Sequence, residues 1–322
     1  MVGTMEVPRW LVHNTPLIEP ESVPDTEIEV AEISTDNRWS VKGDTYFGAN
    51  ETCTTLPAGV YDCAAHPQLG YYFTAHKLQT DSILSLPGEP GQALVEEFKR
   101  FWDREPLFRE RGFLVKRGML IHGPAGSGKT SAINLMMEEI VRSYNGVVVL
   151  VDSPSNFSSG LRLLRKVEPE RHILAVMEDL DALVQEYGEA QFLSLLDGES
   201  QVDRIMFIAT TNYMERLDPR FKNRPSRFDT VQYIGMPSAE ARAAYLRAKE
   251  PSLSEADIER WVAVSDGFSV AHLKELIIAV QCLGQTLEQA VARLEEMRQQ
   301  RASSENDPER EFGFSKSKGR RL

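Results

Sequence analysis

The chain has 322 residues, a formal net charge of −12 and 42% hydrophobic residues. That apolar fraction supplies a sizeable core and excludes a globally disordered chain, and the length allows two or three compact units at roughly 100–200 residues each. The acidic balance argues against broad, charge-driven binding to nucleic acid or anionic lipid, and Cys53, Cys63 and Cys282 are too few and too scattered for a disulfide framework or a zinc site.

The opening Met1-Val-Gly-Thr-Met-Glu-Val-Pro8 is not a signal peptide, and no stretch approaches the ~18 apolar residues of a membrane span. A soluble, cytoplasmic protein without a membrane partner is expected. Residues 1–44 are rich in Pro and acid, with Glu19, Glu21, Asp25, Glu27, Glu29, Glu32 and Asp36 uninterrupted by Lys or Arg, and read as an extended acidic arm. Residues 45–91 then bring short aromatic and β-branched runs, Thr45-Tyr-Phe47, Gly59-Val-Tyr-Asp-Cys63 and Tyr71-Tyr-Phe-Thr-Ala75, which predict a small β-rich module closed by the Pro87–Gly91 break. Gln92–Glu105 predicts an amphipathic helix with Leu94, Val95, Phe98, Phe101 and Trp102 on one face.

From 92 to 236, strand candidates Gly118–His122, Gly146–Val151, Ile173–Met177, Ile205–Thr210 and Thr230–Ile234 alternate with helical stretches that include Ser131–Tyr144, Gly160–Lys166 and Ala190–Leu196. Alternation of this kind predicts an α/β fold, a parallel sheet covered on both faces by helices. Residues 237–301 predict a helical lid of Ser238–Lys249, Glu255–Val264, Val270–Leu283 and Thr286–Gln300, with Ser254 and Ser269 placed as N-caps. A polar tail over 302–322 ends in a basic cluster.

Gly123-Pro124-Ala125-Gly126-Ser127-Gly128-Lys129-Thr130 fits the phosphate-loop pattern at every fixed position, between an apolar strand and a helix beginning at Ser131. Backbone N–H groups of such a loop and of the helix start point at phosphate oxygens. Lys129 would reach the β- and γ-phosphates, and the Thr130 hydroxyl would ligate Mg²⁺. Glu178 and Asp179 follow the apolar run Ile173–Met177. ATP hydrolysis needs one carboxylate to hold Mg²⁺, directly or through water, and another to activate the attacking water. An acidic strand cap is the plainer alternative. Ile205–Thr210 leads to Thr211-Asn212, whose amide could bond a γ-phosphate or that water, although Asn is common after strands. Arg220, Lys222, Arg224 and Arg227 form a basic run that either meets an anion or is a solvated loop.

Taken in order, these motifs resemble the classical clade of AAA ATPases over roughly residues 92–300, and Asp266-Gly-Phe-Ser-Val-Ala-His-Leu273 resembles that clade's lid-helix motif. Within the clade, Arg111–Gly118, Glu178-Asp179, Leu196-Asp-Gly198 and Tyr233-Ile-Gly235 resemble the mitochondrial ATPases that translocate the Rieske iron–sulfur protein, here without a counterpart of their transmembrane helix. The resemblance implies ATP and Mg²⁺ as cofactors, with Gly123 to Ser131 cradling the phosphates. It implies Thr130 and Glu178 near the metal, Asp179 as the water-activating carboxylate and Asn212 as the sensor. Arg224 and Arg227 would be arginine fingers acting on the neighbouring subunit, with Arg220 in reserve because one extra residue separates Asp218-Pro219 from Arg224. It further implies a homo-oligomeric, hexameric ring that remodels or disassembles a protein client. A nucleic-acid motor or loader, and a slowly hydrolysing nucleotide-gated scaffold, are the alternatives. Where unfoldases of the clade carry an aromatic pore loop, Asn156-Phe157-Ser-Ser-Gly160 reads better as a helix entry that packs one Phe.

Overall fold

A computed structural model describes residues 38–42, 45–49, 52–68, 70–76, 90–197, 202–224 and 226–305. The acidic stretch up to residue 37 and the basic cluster after 305 lie outside the described residues. Strands β1 (Arg38–Lys42) and β2 (Thr45–Ala49) pair antiparallel as a two-stranded sheet of their own. β3 (Gly59–His66) and β4 (Gly70–His76) form a second antiparallel hairpin. The chain then supplies β5 (Lys116–His122), β6 (Val147–Leu150), β7 (Ile173–Met177), β8 (Ile205–Thr211) and β9 (Thr230–Tyr233). All but β1 and β2 join one sheet in the order β4-β3-β6-β7-β8-β5-β9, parallel except at the β3–β4 edge.

The expected β-rich module over 45–91 is therefore not one unit. Thr45–Ala49 pairs with the end of the expected arm, and the 59–76 hairpin borders the central sheet, with Gly59 beside Val147 and Asp62 beside Leu150. The cause lies in β3 itself. Val60 and Tyr61 point to opposite faces and both are buried, so this strand needs cover on each side. Side chains fasten its entry: Glu168 accepts from the Leu56 N–H at 2.7 Å, and the Arg171 guanidinium donates to the Leu56 carbonyl at 2.7 Å.

Helices cover both faces. On one, α1 (Pro90–Asp103) and α3 (Lys129–Ser143) pack Leu94, Phe98, Phe101, Trp102, Ile133, Met136 and Ile140 against Met119, Ile121, Val148 and Leu174; the short α2 (Glu105–Glu110) lies between them in sequence. On the other, α4 (Pro154–Val167), α5 (Leu180–Tyr187) and α6 (Glu189–Asp197) pack Phe157, Leu161, Val184, Phe192 and Leu196 against Leu120, Val149, Ala175 and Phe207. Neighbouring strand residues alternate between the two clusters, so the strands read as continuous apolar runs. α4 begins earlier than the expected Gly160, because Ser153 caps it by accepting from Asn156 N–H and Pro154 fits its first turn. Phe157 consequently lies inside the helix, 1% exposed, with its ring 6.3 Å from that of Phe207. Burying that ring contributes about 2 kcal/mol.

The last four helices are α7 (Ala239–Lys249), α8 (Glu255–Val264), α9 (Val270–Ile277) and α10 (Leu287–Glu305). They close around Tyr245, Leu246, Trp261, Phe268, Leu273, Leu276, Ala290 and Leu294. Ser254 and Ser269 cap α8 and α9 as the sequence predicts, and Ser269 forms a capping box with His272. The expected Val270–Leu283 helix divides: after Ile277 it widens to a π-helical turn over Ile278–Cys282. α10 runs to Glu305, past the expected start of the tail at 302.

Candidate functional site

β5 lies between β8 and β9 and ends at His122, with His122 opposite Thr211 and Tyr233. The glycine loop turns directly from its carboxyl end into α3. Gly123, Gly126 and Gly128 all take positive φ, of 154°, 79° and 104°. Gly123 also needs to lack a side chain, since a Cβ there would lie 1.9 Å from the Ile234 carbonyl oxygen. A Cβ on Gly126 would lie 2.8 Å from Ser269 Oγ, which places the start of α9, from the lid, against the loop. Ala125, Gly126 and Thr130 are exposed, whereas Ser127 and Lys129 are buried.

The Lys129 ammonium makes three hydrogen bonds: to the carbonyls of Gly123 at 2.8 Å and Pro124 at 2.9 Å, and to Asn212 Oδ1 at 2.6 Å. Asn212 Nδ2 in turn donates to Asp179 Oδ1 at 3.2 Å. One chain of hydrogen bonds thus joins the ends of β5, β8 and β7, the three segments the sequence singled out. Burial lowers the pKa of Lys129, with the charges of Asp179 and Asp181 acting the other way. Glu178 is exposed as a residue yet crowded by protein, and that desolvation, followed by the adjacent Asp179 charge, raises its pKa. Burial lowers the pKa of His122, helped by Lys222 and Lys129.

Asp179 is a non-glycine residue in the left-handed region, φ 49° and ψ 54°, a conformation that costs about 1–2 kcal/mol. Thr210 helps to hold it there, its hydroxyl accepting from Asp179 N–H at 3.1 Å. Asp181, two residues on, accepts from Thr211 Oγ1 at 2.7 Å, and Thr211 Oγ1 accepts from Tyr213 N–H at 3.0 Å. Arg216 stacks on the Tyr213 ring at 3.7 Å and lies 3.8 Å from Asp181. Asp181 is a site residue to which the sequence reading gives no role; its position two residues after Asp179 and the Thr210-Thr211 pair are the available signals.

The basic run meets carboxylates of its own chain. Arg220 bonds Asp218 and Glu189, and Asp197 takes both Arg224 and Arg227. These arginines enter β9 beside the start of β5, where Asp229 N–H donates to the Gly118 carbonyl at 2.8 Å and Gly118 N–H to Asp229 Oδ2 at 3.0 Å. The glycine loop leaves the other end of the same strand, ~13 Å away at about 3.3 Å per residue.

The loop fits a bound polyphosphate. Its glycines leave the backbone uncovered, and the buried Ser127 hydroxyl has no partner among the described residues. The Thr130 hydroxyl and the Glu178 carboxylate are hard oxygen donors suited to Mg²⁺, which keeps waters and phosphate oxygens as its other ligands. No group of three or more His, Cys, Asp or Glu among the described residues could hold a metal by itself. No helix among them is long and apolar enough to cross a membrane.

Residues 119–236 match the profile of the ATPase family associated with various cellular activities (AAA). The chain is 29% identical over 193 residues to the proteasome-activating nucleotidase of Aeropyrum pernix, covering 53% of this chain and 47% of that protein. It is 29% identical over 201 residues to the mitochondrial chaperone BCS1 of Homo sapiens, covering 56% and 47%. It is 27% identical over 208 residues to the ATP-dependent zinc metalloprotease FtsH 1 of Conexibacter woesei, covering 57% and 31%. The chain thus spans half or less of the length of these relatives.

Proposed function

We propose, from the match of residues 119–236 to the AAA profile, that the chain hydrolyses ATP with Mg²⁺ in a homo-oligomeric ring and uses the lid's movement against the α/β domain to remodel a protein complex. The observation that carries this reading is the hydrogen-bond chain Lys129–Asn212–Asp179 beside the glycine loop.

Bound Mg²⁺–ATP supplies the scissile phosphoanhydride and a divalent charge that offsets the phosphates. The N–H groups of the Gly123–Ser131 segment and the Lys129 ammonium would bind the phosphate oxygens, and Thr130 and Glu178 would hold the metal. Asp179 accepts the proton of the attacking water at its carboxylate, and Asn212 orients that water from its position between Lys129 and Asp179. Asp181, through Thr211, keeps the Asn212 loop in register with the turn that carries Asp179. The arginine loop serves a neighbouring copy, a reading supported by its entry at the opposite end of β5 from its own glycine loop. The names of the relatives, a chaperone, a nucleotidase that activates a proteasome and an ATP-dependent protease, support a protein client. Phe157 has no part in gripping it, being enclosed in the core.

Phosphate release by the purified protein, with Mg²⁺ and with chelator, tests the reading, with light scattering in ATP to follow assembly. Metal-dependent turnover that Lys129→Ala abolishes is the expected result. Turnover equal in wild type and Lys129→Ala refutes it.

A further inference from the structure

The segment between α1 and β5 carries charge of the opposite sign to the chain. Residues 104–117 hold Arg104, Arg109, Arg111, Lys116 and Arg117 against Glu105 and Glu110, in a protein whose formal net charge is −12. Arg104 and Arg111 are the caps of α2, and their spacing puts them on one face of it with Leu107. Arg109 pairs with Glu105 and Asp203, and Arg117 lies 3.7 Å from Asp229. Arg104 and Arg111 have no ion pair among the described residues. Apolar side chains share this surface: Phe113 is 65% exposed, and Leu107 and Leu114 are each 40% exposed. The backbone holds them in place. Gly112, at φ 71°, turns the chain back so that Phe113 N–H donates to the Phe108 carbonyl at 2.9 Å, and Val115 N–H donates to Asp203 Oδ1 at 2.6 Å. A phenyl ring fixed in water beside two guanidinium groups is pre-formed for a partner that is both acidic and apolar.

The chain contains a segment with both properties. Residues 19–36 hold seven carboxylates and no Lys or Arg, with Val23, Ile28, Val30 and Ile33 among them. The segment also attaches at the right end of the sheet. Gly59 of β3 is level with Val147, Ile173 and Ile205 on successive strands, and Ile205 is level with Lys116 of β5. The chain thus enters β3 at the same end at which the basic surface leads into β5, four strand spacings or about 19 Å away. In the β1–β2 hairpin Arg38 lies opposite Ala49, so the acidic segment joins the hairpin where the chain leaves it toward β3. Residues 50–58 can span about 30 Å, more than that distance. We propose that residues 19–36 dock on the Arg104–Leu107–Arg111–Phe113 surface of the same chain, with carboxylates forked onto the two guanidinium groups and the Ile and Val side chains over Phe113. Docking takes Phe113 out of water and closes the surface to any other acidic partner until the segment is displaced.

The test follows cleavage of the full chain by a glutamyl endoprotease, which cuts after Glu19, Glu21, Glu27, Glu29 and Glu32, with fragments identified by mass. Cutting a docked segment requires its release, so wild type should be cut there about tenfold more slowly than Arg104→Asp/Arg111→Asp. Phe113→Ser should lose the protection as well, and high salt should remove it from wild type. All three substituted positions are exposed, so Tm should stay near wild type in each variant. Adding Glu27→Lys and Glu29→Lys to Arg104→Asp/Arg111→Asp restores opposite charges and should restore slow cutting at Glu21 and Glu32. Equal cutting of wild type and Arg104→Asp/Arg111→Asp overturns the docking. A fourfold variant that keeps its Tm and is still cut fast overturns it too, by showing that charge does not recognise the segment. Protection that disappears on dilution assigns the segment to a second copy and overturns docking within one chain.

Discussion

Replacing Gly118 by alanine probes how firmly the arginine loop is seated on β5. An added Cβ would lie 1.7 Å from the Arg227 carbonyl oxygen, 2.8 Å from its carbon and 3.1 Å from Phe228 Cα. All three are backbone atoms, so no rotamer change relieves the clash. Reaching ordinary contact requires the loop and β5 to part by roughly 1.5 Å. That displacement breaks the Asp229 N–H bond to the Gly118 carbonyl and the Gly118 N–H bond to the Asp229 carboxylate. The first is worth about 1 kcal/mol and the second about 2 kcal/mol. Phe228, buried against the sheet, moves with them. β9 pairs with β5 over only Thr230–Tyr233, so it yields before the rest of the sheet. We expect Gly118→Ala to lose about 3–4 kcal/mol in urea unfolding. ATP affinity should stay near wild type while turnover falls, because the glycine loop at the far end of β5 is not displaced. A loss under about 1 kcal/mol would show that the loop is loosely held, and the reasoning would fall.

Lys129→Ala removes the ammonium that faces Gly123, Pro124 and Asn212 and should weaken ATP binding at least ~100-fold by titration calorimetry; unchanged affinity would contradict its assigned place. Thr211→Val deletes the hydroxyl between Asp181 and the Tyr213 N–H and should lower kcat roughly tenfold at unchanged ATP affinity, whereas wild-type kcat would remove Asp181 from the mechanism. Burial alone would raise the pKa of Glu105, but hydrogen bonds from His172, Arg109 and Arg204 hold it down at about 2. A depressed carboxylate stabilises the fold above its unfolded pKa of about 4.3, and that stability disappears as pH falls toward 2. Wild type should lose about 3 kcal/mol more across that window than Glu105→Gln does; parallel acid-unfolding profiles would count against this coupling.

The parallel sheet, its helices, the glycine loop and the carboxylate pair were legible because each is a local signal: an apolar run, a glycine spacing or a charged strand end. The β3–β4 hairpin was not, because its place beside β6 depends on residues far apart in the chain, and an isolated hairpin with Pro and Gly around it reads as a module. The start of α4 carried a readable cap in Ser153-Pro154, but Gly160 inside the helix drew the boundary forward. Glycine is there for space, since a Cβ would lie 2.2 Å from Cys63 Sγ on β3. The arginine run alone left an anion and a solvated loop both open; the fork onto Asp197 is a tertiary contact, formed only when the loop before β9 returns beside α6.

β5 has the arginine loop beside its start and the glycine loop at its far end. If the Arg224 of one copy completes the glycine loop of the next, contacts run head to tail. An open string of copies then always has one loop unserved, a dimer has half its loops unserved, and only a closed circle serves them all. Turnover per chain should therefore climb with protein concentration and level off when the circle closes, with a lone copy nearly silent. A dilution series that leaves turnover per chain constant while light scattering reports dissociation would separate the loop's chemistry from its neighbours.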